Sequence, residues 1–222
     1  MIKAAWKRAL LWPVRIERDI HCEFDFSQDV PDWPVPEGFS VRLGSPEDVM
    51  RIAELRLRDA GETVHAEYAE RVRLGQKCFV AMWNGEVVGC DWTIFRVGYE
   101  GPVQIVLRDD EVMFQDAFIA RAARGRAAHT AVHRAMLVWA KQQGYRIAYT
   151  FLGYGNGVAS RAITRMGWRH NGRPRYSVVS SPMLRQFGVR HQLVLDHEPG
   201  RHPIPTGRLI RLPPFEREPW ER

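Results

Sequence analysis

The chain has 222 residues, of which 45% are hydrophobic and 26% are charged, and this composition is that of a folded globular protein rather than a disordered one. Its net charge of +6 is carried almost wholly by arginine, which favours an anionic partner but does not choose among nucleic acid, a membrane surface and a phosphorylated cofactor. The three cysteines are scattered and form no CxxC pair, which argues against a disulfide framework and favours a reducing cytoplasm. They are Cys22, Cys78 and Cys90.

The N-terminal stretch MIKAAWKRALLWPVRI has charges within its apolar run and no small-residue cleavage site, so it is unlike a signal peptide. No apolar run in the sequence is long enough for a transmembrane helix. The stretch predicts a short helix that packs on its own domain or on a partner, or that contacts a membrane surface through one apolar face. The residues of that face are Ile2, Ala5, Trp6, Ala9 and Leu10.

The next elements predicted along the chain are two strands and a helix. Alternating apolar and polar residues over 20–26 predict a half-buried strand, and FSVRL predicts a second one after a proline-rich connection. SPEDVMRIAELRLRDA then predicts a helix with Ser45 as its N-cap, Pro46 in its first turn and Asp48 as the acidic third residue of a capping box.

A second helix, a hairpin and a further strand pair are predicted after these. The helix covers about residues 66–74. CFVAMW and EVVGCDWTIF flank Asn84 and Gly85, a dipeptide that favours a tight hairpin turn because both positions accept positive φ. Residues 103–107 and 112–120 are predicted as the further strand pair.

The stretch RGRAAHTAVHRAMLVWAKQQG predicts the strongest helix of the chain, with Gly144 at its end. YRIAYTFL predicts a strand, GNGVASRAITRM a short helix entered through a glycine-rich turn, and Asn171 with Gly172 a second hairpin. The signals fade from about residue 181 onward, and residues 199–222 are rich in proline and arginine and have no periodicity. The apolar stripe of the long helix consists of Ala128, Ala131, Val132, Ala135 and Trp139.

The start of this long helix has the properties of an anion-binding site. The first N–H groups of a helix have no intrahelical partner, and the helix dipole favours negative charge beside them. Arg121, Arg124 and Arg126 lie in the turn that enters the helix and add charged donors for phosphate oxygens. The sequence therefore predicts a pyrophosphate site here.

The run FIARAARGRAAHTAVHRAMLVWAKQQGY, followed by a strand and then NGVASRAITRMGW, resembles the central region of the GCN5-related N-acetyltransferase (GNAT) superfamily, whose members bind acyl-CoA. The phosphate-loop pattern of the family, Q/RxxGxG/A, falls on residues 124–129, and DAFI stands where the family has its fourth strand. The resemblance covers about residues 38–180 and rests on order and spacing together. The later motif of the family is matched by Asn156, Ala159, Gly167 and Trp168.

The resemblance and the order of elements imply an α+β fold for residues 38–180, with a GNAT-like mixed, mostly antiparallel central sheet and helices on both faces. Residues 1–37 are then an N-terminal extension with a short helix and a strand, and residues 181–222 a C-terminal extension. The resemblance also implies acetyl-CoA as the co-substrate and direct transfer of its acyl group to an amine, with no covalent enzyme intermediate.

Three groups of residues are assigned to acyl-CoA by the resemblance. The loop is expected to hold the pyrophosphate, backbone amides of the fourth strand to polarise the thioester carbonyl, and the later helix to hold the pantetheine arm or the following turn. The loop residues are Arg124, Gly125, Arg126, Ala127, Ala128 and His129; the strand residues are Ala117, Phe118 and Ile119; the helix residues are Asn156 and Ser160.

Two features depart from the family pattern. Ala127 and His129 replace the loop glycines, and a histidine there either crowds the phosphates or donates a hydrogen bond to one of them. Ile163 stands where many members have a tyrosine that protonates the departing thiolate, so that role passes to Tyr154, to water or to no group.

The attacking amine needs a proton acceptor, and Asp116 occupies a fourth-strand position where carboxylates of the family often occur. Glu111 upstream and Asp91 on the neighbouring strand are the alternatives. Each of the three also has a structural interpretation, as a solvated strand carboxylate or as the ion-pair partner of an arginine.

Other motifs in the sequence are weaker. His129 and His133 lie four residues apart on one helix face, but TAV between them lacks a glutamate and no third ligand is indicated, so no metal site is expected. GYGNG lacks the later glycine and the acidic residue of a dinucleotide fingerprint. No binding motif accompanies the arginines, so no nucleic-acid partner is expected.

The sequence thus predicts a cytoplasmic N-acyltransferase, most simply an N-acetyltransferase, that acts on the amine of a small molecule such as an amino sugar. The acceptor pocket is expected between the first two helices and the last hairpin, near Glu62, His65 and Tyr68. A GNAT-like module that binds CoA or a partner without catalysis, and a basic nucleic-acid-associated protein, are the alternative functions. The sequence does not decide whether the chain forms a homodimer.

Overall fold

The computed structural model describes residues 15–100, 103–170, 176–180, 191–196 and 209–211. The helices in this part of the chain are α1 (Pro46–Ala60), α2 (His65–Arg73), α3 (Ala128–Gln142) and α4 (Gly157–Arg165). The strands are β1 (Arg15–Asp25), β2 (Phe39–Leu43), β3 (Lys77–Trp83), β4 (Glu86–Ile94), β5 (Val97–Glu100), β6 (Val103–Val106), β7 (Glu111–Ile119), β8 (Ile147–Gly153), β9 (Tyr176–Ser180), β10 (His191–Asp196) and β11 (Leu209–Arg211).

Nine of these strands form one sheet in the order β11-β10-β9-β1-β8-β7-β4-β3-β2, and β5 with β6 forms a separate ribbon. Within the large sheet β7 and β8 run parallel, while the other neighbouring strands pair antiparallel. The predicted mixed, mostly antiparallel α+β architecture is therefore confirmed.

Helices lie on both faces of the sheet, as predicted, and two neighbouring residues of β4 show this. Successive strand residues point to opposite faces. Asp91 contacts His133 of α3 at 2.8 Å, whereas the ring of Trp92 packs 5.1 Å from the ring of Tyr68 on α2. The strand β4 is consequently buried along most of its length.

Local signals in the sequence define α1 and the first hairpin well. The hydroxyl of Ser45 accepts a hydrogen bond from the Asp48 amide, and the Asp48 carboxylate accepts one from the Ser45 amide at 2.8 Å, which completes the predicted capping box. Asn84 and Gly85 have φ values of 49° and 85°, as a tight hairpin turn between β3 and β4 requires. Both predictions are confirmed.

The predicted apolar stripe of α3 faces the sheet. Ala128, Ala131 and Val132 are buried, and the Trp139 ring packs edge-on against the Phe79 ring, with centroids 5.5 Å apart. The buried face is wider than the stripe because His133 belongs to it too. The helix ends before Gly144, whose φ of 83° fits its predicted place past the last turn.

The pairing of the strands over residues 103–107 and 112–120 is a prediction that the structure corrects. Both strands exist, but β6 pairs with β5, and β7 lies in the large sheet between β4 and β8. Because both edges of β7 are adjacent to other strands, β6 has no edge of β7 to join. The predicted hairpin at Asn171 and Gly172 and the predicted N-terminal helix lie outside the described residues.

Strands from both predicted extensions take part in the large sheet. β1, which the sequence placed before the GNAT-like region, lies between β9 and β8 and pairs with both. β10 and β11, which had no sequence signal, extend the sheet beyond β9. None of the helices described here is long and apolar enough to cross a membrane.

The capping carboxylate of α1 makes the stability of the fold depend on pH. Hydrogen bonds from the Arg42 guanidinium, at 2.6 and 2.9 Å, lower the pKa of the Asp48 carboxyl to about 2. Asp48→Asn is therefore expected to reduce the free energy of unfolding at neutral pH by about 1–2 kcal/mol, a value discounted for the half-exposed Arg42. Chemical denaturation measures this loss.

The sign of the pH effect follows from the lowered pKa. The contribution of Asp48 is complete above the unfolded pKa near 4 and is lost as the pH falls towards 2, so the wild-type and Asp48→Asn proteins should converge in stability over that interval. Asp109→Asn, at an exposed position, is the control and should follow the wild type throughout. A constant difference between wild type and Asp48→Asn across this range would contradict the assignment.

Candidate active site

A gap opens in the middle of the large sheet between its two parallel strands. β7 and β8 pair at Glu111 with Ile147, Val112 with Ala148 and Met113 with Tyr149, and the ladder goes no further. Both strands nevertheless continue, β7 to Ile119 and β8 to Gly153. The edges that face each other beyond this point lie outside the ladder, so their backbone groups are available to a ligand.

A β-bulge in β7 marks the position of the gap. Along the β4–β7 pair, Cys90 lies opposite Phe118 and Trp92 opposite Gln115, so two residues of β7, Asp116 and Ala117, stand against the single residue Asp91. Asp116 has φ of 70°, in the left-handed region that residues other than glycine rarely adopt. A bulge of this kind bends its strand and redirects side chains.

Strand alternation decides which amides face the gap. The Ala120 amide donates to the Val88 carbonyl at 2.8 Å, so the amide of Phe118, two residues earlier and opposite Cys90, also points towards β4. Those of Ala117 and Ile119 then point to the other side. The Ile119 carbonyl agrees, because it accepts a hydrogen bond from the Arg124 side chain at 2.9 Å instead of from β4.

An uncapped helix start lies at the end of β7. A single 3-10 turn, Arg121–Ala123, leads into the exposed residues 124–127, and α3 begins at Ala128. Gly125 and Ala127 have φ values of 75° and 57°, and the N-cap Ala127 has no side chain that accepts a hydrogen bond. The first amides of α3 are therefore left for an anion.

The arginines of this loop have partners of their own in the protein. Arg124 bonds to the Ile119 carbonyl, and the Arg126 guanidinium stacks 4.3 Å above the centre of the Trp83 ring. The Arg121 amide donates to the Asp59 carboxylate at 2.9 Å. These contacts fix the loop between β3, β7 and the end of α1.

Asp116, the predicted base, lies in a cluster of charges formed with α1 and α2. One carboxylate oxygen accepts from Arg56 at 2.5 Å, and the other accepts from the Tyr68 hydroxyl at 3.1 Å. Arg71 lies 3.6 Å away, and Arg56 also binds Glu62 at 2.6 Å. The sequence did not connect Asp116 with these residues, which lie 45 to 60 positions away.

The alternative carboxylate Glu111 lies far from the gap. It is buried at the start of β7, where it accepts hydrogen bonds from the Tyr149 hydroxyl and the Arg108 amide, both at 3.0 Å. It lies five positions before Asp116 in the strand, a span of about 17 Å. The structure thus does not bring these two candidate bases together.

The predicted pantetheine residues lie at the turn after β8. Tyr154 is half exposed in this turn, and the Asn156 side chain caps α4 by accepting from the Ala159 amide at 3.1 Å. The Ser160 hydroxyl lies 3.3 Å from the His170 ring. Ile163, which replaces the tyrosine of the family pattern, is fully buried.

Asp91 lies in a buried group with the two histidines of α3. Asp91 and His133 are 1% and 2% exposed, and their 2.8 Å contact joins β4 to α3. Burial raises the pKa of the Asp91 carboxyl to about 7, and burial lowers the pKa of both His129 and His133 to about 4. The histidine pair is apparent in the sequence, but the sequence has no signal for the third residue, which lies on another element.

No family model matches this sequence, and no curated protein matches it. The structure is similar to a GCN5-related N-acetyltransferase from Sphaerobacter thermophilus, with TM-score 0.56 and 17% identity over 81% of this chain and 56% of that one. A tandem GNAT protein from the clavulanic acid biosynthesis pathway is similar with TM-score 0.54 and 19% identity, over 81% of this chain and 58% of that one. An acetyltransferase of the GNAT family from Colwellia psychrerythraea is similar with TM-score 0.55 and 11% identity, over 80% of this chain and 60% of that one.

The chain therefore has the fold of the GNAT superfamily, as the resemblance in its sequence implied. It spans less than two thirds of the length of these three proteins.

The ion pair at the bulge is expected to matter for stability. Arg56→Met keeps much of the aliphatic stem but leaves the Asp116 carboxylate without its closest cation, and breaking a largely buried pair from one side costs about 2–4 kcal/mol. Arg58→Met is the matched control on the same helix, because its side chain is 72% exposed and should cost less than about 0.5 kcal/mol. Equal losses in urea denaturation would show that the Arg56 pair adds nothing.

Proposed function

We propose that the chain is an acyl-CoA-dependent N-acyltransferase, most simply an N-acetyltransferase. The observation that carries this proposal is the combination of the β7–β8 gap with the uncapped start of α3 at the end of the same strand. The gap offers backbone amides to an extended, amide-containing arm, and the helix start offers amides and dipole to a pyrophosphate. The GNAT fold supports the same reaction class.

In the proposed reaction, the amine nitrogen attacks the thioester carbonyl and forms the new C–N bond, while the C–S bond breaks and CoA leaves as its thiol. The amides of Ala117 and Ile119, which face the gap, stabilise the negative charge that develops on the carbonyl oxygen. The ammonium proton passes to Asp116 and from there to water, and the thiolate takes its proton from Tyr154 or water.

Charge around the bulge supports a cationic acceptor. Two guanidiniums, Arg56 and Arg71, lie among three carboxylates, Asp116, Glu62 and Glu67. The cluster therefore has one carboxylate in excess, and a protonated amine would balance it. We propose a small amine as the substrate, with an amino sugar as one candidate.

A second candidate function is a GNAT-like module that binds CoA without catalysis. Both oxygens of Asp116 already have partners within the protein, and Ile163 is buried where a proton donor of the family would stand. The two candidates share the CoA site and differ only in the chemistry.

Binding of acetyl-CoA is expected to raise the melting temperature, because a ligand that binds only the folded chain stabilises it. Gly125→Ala should weaken this shift, since it adds a methyl group within the proposed phosphate loop. The left-handed alanine also lowers the stability of the chain without ligand by about 1 kcal/mol. Gly75→Ala is the control: its φ of 76° matches the 75° of Gly125, and neither added Cβ meets an atom within 4 Å. Both variants should lose the same stability without ligand.

The two glycine variants separate binding from folding. If Gly125→Ala and Gly75→Ala keep the same acetyl-CoA shift as each other, the loop does not bind the pyrophosphate. If the wild-type protein shows no shift at millimolar acetyl-CoA, the CoA proposal as a whole fails.

Release of the CoA thiol across a panel of amines tests catalysis. Asp116→Asn is expected to lower kcat about a hundredfold, because a general base typically contributes that much or more, while the acetyl-CoA melting shift is retained. The exposed Asp109→Asn is the control and should keep the wild-type rate. Unchanged kinetics in Asp116→Asn would assign proton acceptance to water, and binding without turnover for any amine would support the non-catalytic module.

A further inference from the structure

Three side chains from two elements meet between the sheet and the start of α3. His129 and His133 lie one helical turn apart, and Asp91 reaches them from β4. One donor atom from each of the three lies within 4.8 Å of the other two. We propose that Asp91, His129 and His133 form a binding site for a divalent transition-metal ion, represented by Zn²⁺.

The donor set is of the kind that Zn²⁺ accepts. Two imidazole nitrogens and one carboxylate oxygen are the ligands of open zinc sites, in which water or a substrate takes the fourth position, and the same set also suits other first-row divalent metals. Mg²⁺ and Ca²⁺ prefer all-oxygen ligands. The site should therefore discriminate strongly between Zn²⁺ and Mg²⁺.

The spacing of the donors is close to what tetrahedral coordination needs. Bonds of about 2.0–2.2 Å place neighbouring ligand atoms about 3.4 Å apart. The Asp91–His133 distance of 2.8 Å is shorter than this, and all the separations are within 4.8 Å. Side-chain rotations that move the ligand atoms by about 1 Å suffice to bring all three to an ion.

Hydrogen bonding within the described part of the protein satisfies Asp91, through the Trp92 amide and His133 Nε2, both at 2.8 Å, but not the whole group. The Nε2 atom of His133 faces Asp91, and the buried Nδ1 atom of the same ring has no hydrogen-bond partner among the described residues. The Asp91 carboxylate is 1% exposed, and burying a carboxylate is costly unless a cation lies beside it. A divalent cation bound between Asp91 and the two histidines would supply that charge.

The surroundings of the group suit a metal site with access from one side. The rings of Phe114 and Trp168 pack against His133, with centroids 5.8 and 5.9 Å away, and an apolar wall of this kind excludes water and strengthens charge interactions. His129 is the least buried of the three and lies in the first turn of α3. The ion would join the helix start to β4 at the bulge.

Zn²⁺ binding to the full chain, stripped with a chelator and studied without CoA, tests the proposal. We expect one Zn²⁺ per chain in competition with a chromophoric chelator, a higher melting temperature, and no shift with Mg²⁺. His129→Gln and Asp91→Asn should each weaken Zn²⁺ binding by more than about 100-fold, the upper end of the loss when only a supporting partner of a ligand is removed. His65→Gln, on α2, is the control and should bind as the wild type does.

The decisive variant is His129→Gln. Because the His129 side chain is partly exposed, this substitution should disturb the fold least, and the circular dichroism of the variant should match that of the wild type. Co²⁺ gives a second readout, since its visible absorption reports nitrogen ligation and should be lost in His129→Gln. The proposal is overturned if the wild type binds no Zn²⁺ at micromolar concentrations. Equal Zn²⁺ affinity in wild type and His129→Gln, or equal shifts with Zn²⁺ and Mg²⁺, would also overturn it.

Discussion

The parallel ladder between β7 and β8 ends at Met113 and Tyr149, although both strands continue, and the rest of the site depends on this. A strand inside a sheet normally has both edges paired, and a buried unpaired amide costs free energy. Beyond Met113, β7 keeps its antiparallel partner β4 and turns its other edge to the gap. Because the two strands separate, the amides of Ala117 and Ile119 face the gap instead of a neighbouring strand.

At the bulge, the carboxylates of Asp91 and Asp116 point to opposite faces of the sheet. Asp91, opposite the bulge, points to α3 and meets the two histidines, whereas Asp116 turns to α1 and α2 and meets Arg56. Each carboxylate therefore has its side-chain partners on a different helix layer. The proposed proton acceptor and the proposed metal ligand are kept apart by the sheet, although they stand side by side in the strand register.

Local structure was predictable because its causes act over a few residues. The capping box of Ser45 and Asp48 and the turn at Asn84 and Gly85 were predicted from side-chain donors and tolerated φ values, and the structure has them. The apolar stripe and the end of α3 were predictable for the same reason. The pairing of strands was less predictable. β6 pairs with β5 rather than with β7, because neither strand propensity nor alternation specifies which strand edges meet.

The sequence by itself determined the helix start that follows β7, the glycine in its loop, the histidines one turn apart and the resemblance to GNAT proteins, since all of these depend on spacing within one segment. Only the tertiary structure decided where the ladder stops, that Arg56 binds Asp116 across 60 positions, and that Asp91 joins His129 and His133. The physical reason is that register and a one-residue bulge decide these contacts. A slip of one residue would send each side chain to the opposite face of the sheet.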